Sequence, residues 1–401
     1  THSPSQYDNY ISQNTALGQD SDGGYGGGIE VLGPAVANFS SVLALNTAPN
    51  GGGIAAIATE NGPATVNVYT TDPNSPVSIY GNIATGWGGG IYLRPYIGNQ
   101  NDARLCMNDF ALDANTASDG SALYLWHDGY LGAVAYLNTP SECTPAPDAV
   151  ACAPGTACNE MNDNVTQLED GTPTDGSTVR VMLDGAFSAS RFAARRNNSH
   201  GGNLIEFFAE SGVSIGRDYV RLHDCVLADN IVGDHLLNGE QDGNGTQMIL
   251  DTCTVANNQL SGGAAMAVIG ADVNFIEVTN SIVYQPDHEV VEFHGAPGDL
   301  TSEYVLTNSA ASLSGGFGIV EGTPAFVDVA NGDYHLVRTS PGVDMAPVLG
   351  DVDLDGNPRA VDLLDIPNGW GTMDVGAYEI QTQIGTCAIS DTIFCNGFDG
   401  L

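Results

Sequence analysis

The chain has 401 residues, 51 of them glycine, and its 48 acidic residues outnumber 10 basic residues, all of them arginine. A net charge of −38 excludes nucleic acid and anionic membrane surfaces as partners, because phosphate groups are bound by basic patches. No apolar run approaches the roughly 20 residues that span a bilayer. We therefore expect a soluble exported protein, or one whose carboxylates bind divalent cations. Thr1 stands where an initiator methionine would, so we expect a mature chain whose signal peptide has been removed.

A repeated unit runs through most of the chain. Each copy has an asparagine, a few small or polar residues, one or more glycines and a short apolar strand, as in NIATGWGGGIYL. The copies begin at Asn46, Asn82, Asn115, Asn197 and Asn257. Strand-sized units with no helix between them are typical of a β-solenoid. The sequence therefore predicts an all-β fold, a single-stranded right-handed parallel β-helix.

The asparagines and glycines of this unit have a mechanical explanation. A coil turns sharply between its strands, and Asn and Gly best tolerate the left-handed backbone of such turns. Coils stack about 4.8 Å apart, so equivalent asparagine side chains can hydrogen-bond along the stack. We expect Asn46, Asn82, Asn115 and Asn257 in turns. Glycines such as Gly88–Gly90 should lie where a Cβ atom would strike the next coil.

Changes in composition divide the chain into five parts. Regular coils are predicted over 1–138, followed by a loop insertion rich in Pro, Gly and Cys over 139–178. Coils resume over 179–300, and closing coils with a closing module follow over 301–380. A tail occupies 381–401. The loop insertion is either a functional excursion from one coil or a stapled decoration.

Eight cysteines, an even number without a CxxC pair, indicate disulfides formed in an oxidising compartment. Cys387 and Cys395 bracket a short loop and are predicted to clasp the tail. Cys225 and Cys253 occupy the same place in successive repeats, so they should stack as a disulfide or as a free pair. Three further cysteines are predicted to staple the loop insertion: Cys143, Cys152 and Cys158.

The repeats and the C-terminal third resemble known bacterial surface proteins. The Asn-to-GGGI units are similar to the repeats of autotransporter passengers and polymorphic outer-membrane proteins. The segments at 332–346, 351–362 and 374–379 resemble the closing module of secreted β-helix proteins with a choice-of-anchor domain. The final DTIFCNGFDG resembles the tail of many proteins exported by proteobacteria. The resemblance implies a right-handed β-helix and export, and it implies little chemistry.

The segment DVDLDGNPRAVD has the ligand spacing of a calcium-binding loop. Alternate carboxylates on a tight turn converge on one cation, and a glycine allows the sharp bend. The alternative is a structural turn in which Arg359 pairs with Asp374 or Glu379. The predicted calcium ligands are Asp351, Asp353, Asp355 and Asp362.

Catalytic residues for an acidic polysaccharide can be drawn from two segments. Six of the ten arginines fall between residues 180 and 221, where their guanidinium groups could clamp the carboxylates of a uronic-acid polymer. A histidine acting as the base would then suit β-elimination. The segment YQPDHEVVEFHG loosely resembles the sites of β-helix epimerases that act on alginate. Alternatively, the arginines neutralise nearby acids and this segment is a polar turn. The candidate residues are Arg195, Arg196, His223, Tyr284, Asp287 and His288.

Two functions follow from these patterns. The first is a secreted, extracellular or cell-surface structural or adhesive protein, which associates end to end into a filament because β-helix ends expose unpaired strand edges. The second is a lyase or hydrolase of an acidic glycan. Exposed aromatic rings would indicate a sugar-binding groove, and the candidates are Trp87, Tyr92, Trp126 and Tyr130. The expected partners are copies of the chain and surface or extracellular polysaccharide, with calcium as the expected cofactor.

Overall fold

The computed structural model describes most of the chain. The described residues are 10–17, 24–129, 131–139, 141–143, 148–153, 158–182, 184–209, 219–241, 247–270, 275–295, 299–348, 350 and 352–381. Three predictions fall outside these residues: the tail disulfide between Cys387 and Cys395, Asp351 as a calcium ligand, and Tyr130 as an exposed aromatic ring.

Successive coils are built from short strands joined by tight corners. The strands up to the loop insertion and the coil that contains it are β1 (Tyr10–Ser12), β2 (Ile29–Leu32), β3 (Ala35–Phe39), β4 (Val42–Ala44), β5 (Thr47–Asn50), β6 (Ile54–Ile57), β7 (Ala64–Tyr69), β8 (Val77–Tyr80), β9 (Ile83–Trp87), β10 (Ile91–Arg94), β11 (Ala103–Asn108), β12 (Phe110–Asp113), β13 (Thr116–Ala117), β14 (Leu123–Leu125), β15 (His127–Asp128), β16 (Leu131–Gly132), β17 (Val134–Leu137), β18 (Glu160–Asn162), β19 (Val165–Thr166) and β20 (Val179–Met182). The later strands are β21 (Ala186–Arg195), β22 (Ile205–Ala209), β23 (Tyr219–Ala228), β24 (Leu237–Gln241), β25 (Gln247–Asp251), β26 (Thr254–Ala256), β27 (Ala264–Gly270), β28 (Phe275–Thr279), β29 (Ile282–Tyr284), β30 (Glu289–Gly295), β31 (Asp299–Glu303), β32 (Leu306–Thr307), β33 (Val320–Glu321), β34 (Phe326–Asp328) and β35 (Asp333–Leu336). In the described residues the helical segments are three short 3-10 helices, Ile97–Asn99, Ala310–Leu313 and Val329–Asn331.

Equivalent strands stack along the axis as three parallel sheets. An 18-stranded sheet takes two strands, or one long bent strand, from each coil, and a nine-stranded sheet takes one. A four-stranded sheet, β5, β9, β13 and β19, lies between them in the chain. The second, third and fourth coils are β3–β6, β7–β10 and β11–β14. Inward Leu, Val, Ile and Phe side chains form a core that runs through the coils. The all-β parallel β-helix predicted from the sequence is confirmed.

A ladder of side-chain amides holds the coils in register. From Asn46 to Asn258, the Oδ1 of each asparagine rung accepts both the backbone N–H and the side-chain N–H of the preceding rung, as Asn82 does from Asn46 at 3.0 Å each. The remaining side-chain N–H of Asn82 donates to the carbonyl of Leu43 on the coil before. Buried amides are thereby paired, as burial requires. The rungs are Asn14, Asn46, Asn82, Asn115, Asn164, Asn197, Asn230, Asn258, Gln285 and Asn308.

From Asn14 to Asn258, the left-handed backbone belongs to the residue before each rung and not to the rung itself. Leu45, Ala114 and Arg196 have φ values of 57°, 53° and 56°. Asn257 takes this position with φ 56°, so Asn258, and not Asn257, forms the rung. Asparagine suits both the left-handed position and the hydrogen-bonded rung. With two consecutive asparagines, the sequence alone does not show which of them is the rung.

The glycines before the strands of the nine-stranded sheet are required by shape. Gly88 has a φ of 68°, a backbone conformation that residues with a side chain rarely adopt. A Cβ on Gly89 would lie 2.5 Å from the carbonyl oxygens of Ser121 and Thr116 on the next coil. The expectation that these glycines avoid a clash between coils is therefore correct.

The loop insertion leaves the coils for a shorter stretch than the predicted 139–178. Strands β18 and β19 fall inside that range and pair in parallel with β21 and β13. The Pro- and Gly-rich composition continues past the point where the coil resumes, which explains the difference. Disulfides join Cys106 to Cys143 and Cys152 to Cys158 in this region. Farther along, the stacked pair Cys225–Cys253 is a disulfide.

The C-terminal module, defined here as residues 326–381, folds back along the outside of the coils. The Tyr334 hydroxyl donates to Asp229 Oδ1 at 2.8 Å, and the Ala377 N–H donates to Thr254 Oγ1 at 3.0 Å. A different segment covers the C-terminal end of the nine-stranded sheet, at its last strand β30. There the helix Ala310–Leu313 packs on β30, and Ser312 Oγ accepts the N–H of Val290 at 3.0 Å.

Candidate functional site

One row of side chains crosses the coils on the outer face of the nine-stranded sheet. Its members alternate with core residues such as Ile91 and Leu93, so they point away from the core. We call this set the outer row. Its members are in direct register from strand to strand: Glu30, Ala55, Tyr92, Tyr124, Arg180, Glu206, Asn238, Ala267 and Glu292.

The N-terminal part of the outer row carries a stack of aromatic rings. The ring centroids of Tyr25 and Tyr92 are 5.8 Å apart, and those of Tyr92 and Tyr124 are 6.0 Å apart. Trp126 lies 5.9 Å from Tyr124 and 4.9 Å from Trp87. Trp87 is 36% exposed, whereas Tyr92 and Tyr124 are buried. The tryptophans therefore form the solvent side of the stack.

Three of the four aromatic candidates from the sequence thus belong to one cluster. Trp87, Tyr92 and Trp126 are members of the stack, and Tyr130 lies outside the described residues. Two further members, Tyr25 and Tyr124, were missed. The signal that finds them is their register, since Tyr124 stands at the same place in its repeat as Tyr92.

The middle of the outer row is a charged group. Arg180 Nε lies 3.1 Å from Asp119 Oδ2, and its Nη1 contacts Glu206. Burial lowers the pKa of Arg180, but the two carboxylates outweigh this and hold the pKa above its ordinary value. Next in the row, Asn238 Oδ1 is buried and accepts no hydrogen bond from the described residues. Arg180 therefore neutralises its own surroundings and is not free to clamp a substrate.

Arg195 and Arg196, two of the proposed catalytic residues, are also engaged within the chain. Arg195 Nη1 donates to the carbonyl of Gly332 in the C-terminal module at 2.9 Å. Arg196 makes two hydrogen bonds of 2.9 Å to the Asp163 carboxylate, and both side chains are about half exposed. These contacts match the alternative in which the arginines neutralise nearby groups.

His223 borders a groove of ≈ 350 Å³ on the 18-stranded sheet, together with Tyr219, Arg221 and Asp251. Its Nε2 lies 3.1 Å from Asp224 Oδ2, and its Nδ1 lies 2.9 Å from Asp251 Oδ2. Burial lowers the pKa of His223, but hydrogen bonds to these two carboxylates outweigh it and raise the pKa to about 10. An imidazolium bonded at both nitrogens does not accept a proton at neutral pH. His223 is therefore poorly suited to act as the base of a β-elimination.

Replacing His223 with glutamine is expected to cost about 1–2 kcal/mol of unfolding free energy below pH 6.5, with a smaller cost at higher pH. The fold raises the pKa of His223, so its contribution is complete below the unfolded value of 6.5 and is lost as the pH rises through about 10. The side chain is 42% exposed, and solvent screening reduces the effect accordingly. Urea unfolding of both proteins across this pH range measures it.

The difference between the two proteins is the informative quantity. Burial, followed by repulsion from Asp374, raises the pKa of Glu379 to about 9, so both proteins lose stability above the unfolded value of 4.5. That loss cancels in the comparison. A difference that stays constant between pH 6.5 and pH 10 would show that the His223 charge does not stabilise the fold.

The remaining catalytic candidates lie apart from His223. The Tyr284 hydroxyl is 3.3 Å from Thr323 Oγ1, and His288 Nδ1 is 2.8 Å from the carbonyl of Gly262. Asp287 is exposed in the turn between them, with φ 70°. The structure therefore does not bring the six candidates into one site.

The predicted calcium ligands make protein contacts of their own. Asp353 is fully buried, and its two carboxylate oxygens accept the backbone N–H groups of Asn357 and Glu379 at 2.7 and 3.0 Å. Asp355 Oδ2 lies 2.9 Å from His335 Nε2. These bonds support the alternative of a structural turn.

The fourth ligand, Asp362, is partly exposed on the same segment. Burial raises the pKa of Asp353. Calcium at these residues stays a prediction.

Arg359 ties the C-terminal module to the coils. Its side chain is 1% exposed, and its Nη2 donates to Asp224 Oδ1 at 2.5 Å and to the carbonyl of Ala377 at 3.1 Å. The alternative predicted from the sequence, in which Arg359 pairs with Asp374 or Glu379, is wrong about the partner. Those two carboxylates accept backbone N–H groups within the module instead. Asp224 therefore links the module to the His223 groove.

One segment of the chain matches a known protein family. Residues 76–94, which span β8 to β10, match the Chlamydia polymorphic membrane protein repeat. The matched segment contains the rung Asn82, the glycines Gly88–Gly90 and the exposed Trp87. The similarity suggests an outer-membrane or surface location. It also supports the resemblance of these repeats to those of polymorphic outer-membrane proteins. The resemblance of the C-terminal segments to a closing module stays a prediction.

No curated protein matches the chain. Among the described residues, no helix is both long enough and apolar enough to cross a membrane.

Proposed function

We propose that the protein is an extracellular adhesive β-helix that binds neutral surface polysaccharide through its N-terminal aromatic stack. The observation that carries the proposal is the exposed ring of Trp87, supported by the rings of Trp126 and Tyr124. The C–H faces of sugar rings pack on aromatic rings. Because the rings already support one another, little side-chain entropy is lost on binding.

Exposed apolar side chains are concentrated in the same part of the molecule. Large exposed apolar patches on a soluble protein mark interaction sites. Half of the large hydrophobic side chains that are exposed in the described ranges belong to the first three coils: Tyr10, Leu17, Leu32, Val36, Leu45, Tyr80, Ile83 and Trp87. This distribution supports a contact region in the N-terminal coils.

Charge favours a neutral polysaccharide over an acidic one. The net charge of −38 repels polyanions, and binding uronic acids would require cations that are free to pair. Arg94, close to the stack, donates to the Tyr25 hydroxyl at 3.0 Å. Arg180, Arg196 and Arg359 are paired with acids of the chain. The alternative of an enzyme acting on an acidic glycan therefore has less support.

End-to-end association into a filament stays a prediction. The helix Ala310–Leu313 packs on β30, the last strand of the nine-stranded sheet. A neighbouring copy would have to stack on this helix or displace it. Adhesion does not depend on the ends and makes no such demand.

The test is binding of the intact chain and of the double variant Trp87→Ala, Trp126→Ala to immobilised neutral and acidic polysaccharides. Aromatic residues at the centre of a binding site typically contribute about 2 kcal/mol or more, so we expect roughly 30-fold weaker binding to the neutral ligand. The wild type should bind acidic polysaccharides weakly at any salt concentration.

The matched control is Trp370→Ala, because Trp370 is 44% exposed but lies in the C-terminal module. This variant should bind like the wild type. Equal binding by all three proteins would overturn the proposal. Sedimentation velocity distinguishes polysaccharide binding from contacts between copies of the chain. If the double variant changes the association state but not polysaccharide binding, the aromatic stack serves contacts between copies.

A further inference from the structure

We propose that His235, Glu292 and His294, together with Asp234, form a zinc-binding site at the C-terminal end of the outer row. His235 Nε2 lies 3.3 Å from Glu292 Oε1 and 3.2 Å from Asp234 Oδ1. His294 Nε2 lies 2.7 Å from the same Glu292 oxygen. Four potential ligand atoms from two segments, the turn before β24 and strand β30, thus converge on one point of the surface.

The donor set and its spacing around His235 fit a tetrahedral zinc ion. Zinc binds histidine nitrogen and carboxylate oxygen at about 2.0–2.2 Å, so neighbouring ligand atoms of a tetrahedron lie about 3.3–3.5 Å apart. Both distances from His235 Nε2 are close to this edge. The ligand atoms of His235, Glu292 and His294 all lie within 4.8 Å of one another. Two histidines and one carboxylate are a common zinc donor set, with Asp234 or water as the fourth ligand.

The orientation of His235 is fixed from behind. The ring is 2% exposed, and its Nδ1 lies 2.8 Å from the carbonyl oxygen of Ala264. A carbonyl only accepts, so Nδ1 carries the hydrogen and the Nε2 lone pair of the neutral ring faces Asp234 and Glu292. Metal-bound histidines are held by such a bond in the same way. A lone pair that faces two carboxylates is unfavourable, so either a bound cation or a proton on Nε2 has to lie between them.

The coil between the ligands makes room for them. Strand β27 separates β24, which follows His235, from β30, which carries Glu292 and His294. Two glycines precede β27 at this place. A Cβ on Gly262 would lie 2.5 Å from His235 Cε1, and a Cβ on Gly263 would lie 2.5 Å from Glu292 Oε2. A residue with a side chain at either glycine would therefore place its Cβ atom against one of the two ligands.

Zinc fits this site better than calcium does, because imidazole nitrogen suits zinc whereas calcium takes oxygen ligands. Another group of potential ligands in the described residues, Asp109 with Cys152 and Cys158, is not comparable. Its two cysteines form a disulfide and supply no thiolates. The site is separate from the proposed adhesive surface, so either proposal can fail without the other.

The experiment is calorimetric titration of the chelator-treated full chain with zinc chloride, with cobalt chloride as a spectroscopic probe. We expect one tightly bound equivalent, a higher melting temperature with zinc, and the visible absorption of tetrahedral cobalt. The variants His294→Gln and Glu292→Gln should each bind zinc at least ten-fold more weakly. His294 is 53% exposed, so its replacement should leave the fold intact.

The matched control is His200→Asn, which removes a histidine outside the cluster and keeps a residue that tolerates its φ of 45°. It should bind zinc like the wild type. Equal zinc binding by the wild type and His294→Gln would overturn the proposal and assign the ions to scattered carboxylates. No zinc binding by the wild type would also overturn it, and a protonated His235 would then balance the two carboxylates. Excess calcium should not displace the bound cobalt, so the visible absorption should persist. Loss of the absorption would contradict a site with nitrogen ligands.

Discussion

Replacing Arg359 with methionine is expected to lower the free energy of unfolding by about 3–5 kcal/mol and to loosen the C-terminal module from the coils. The guanidinium group is buried between the Asp224 carboxylate and two backbone carbonyls of the module. Without it, the counter-ion left to the buried Asp224 carboxylate among the described residues is His223, and both carbonyls lose the guanidinium donor, although Ala377 keeps the N–H of Leu354. Urea unfolding measures the loss of stability, and limited proteolysis of the native protein reports the loosened module.

Two further variants make this result interpretable. Arg196→Asn removes an exposed ion pair of the same type and keeps a residue that tolerates φ 56°, so it should cost less than about 1 kcal/mol. The double variant Arg359→Met, Asp224→Asn removes both buried charges and should recover much of the loss. Equal losses for Arg359→Met and Arg196→Asn would show that the buried pair does not hold the module.

Replacing Asn197 with alanine is expected to cost about 3 kcal/mol or more, because several buried groups lose their partners at once. Asn197 Oδ1 accepts the backbone and side-chain N–H groups of Asn164 at 3.1 and 2.9 Å. Its own side-chain N–H groups donate to the Met161 carbonyl and to Asn230 Oδ1, both at 2.9 Å. Each buried group left without a partner costs about 1–3 kcal/mol. The midpoint of urea unfolding should fall accordingly.

Asn67→Thr is the matched control for the ladder. The Asn67 side chain also bonds a stacked asparagine, Asn38, at 2.8 Å, but this pair is exposed to water. Water replaces the lost bond there, so the change should stay within about 0.5 kcal/mol. If both variants lost the same stability, stacking of asparagines in general, and not their burial, would explain the effect.

The fold could be predicted from the sequence because its determinants are local and repeated. The close approach of coils requires glycine at places such as Gly89, and the buried rung requires an amide that both donates and accepts. Both demands recur in several coils and leave a visible unit. The prediction failed in detail where two residues satisfy one demand, as with Asn257 and Asn258, or where unusual composition hides a rung, as with Asn164.

The contacts that matter for a site could not be predicted in this way. Asp224 and Arg359 are 135 residues apart, and nothing in either local sequence indicates that the C-terminal module returns to that coil. The histidine cluster has the same difficulty, because His235 and Glu292 come from coils that are not neighbours. The pair Gly262–Gly263 is the one local signal, and it becomes informative only when the register of the three strands is known.

The ladder has a consequence for how this protein can change over time. The rungs Asn115 and Asn164 are 49 residues apart and make the same bonds as Asn164 and Asn197, which are 33 apart. Side chains, and not the length of chain between them, therefore keep the coils in register. Between β17 and β18, sequence can be gained, lost or exchanged while the scaffold is inherited unchanged. Sequence diversity can accumulate at that point, and a foreign epitope inserted there would be displayed on an intact support.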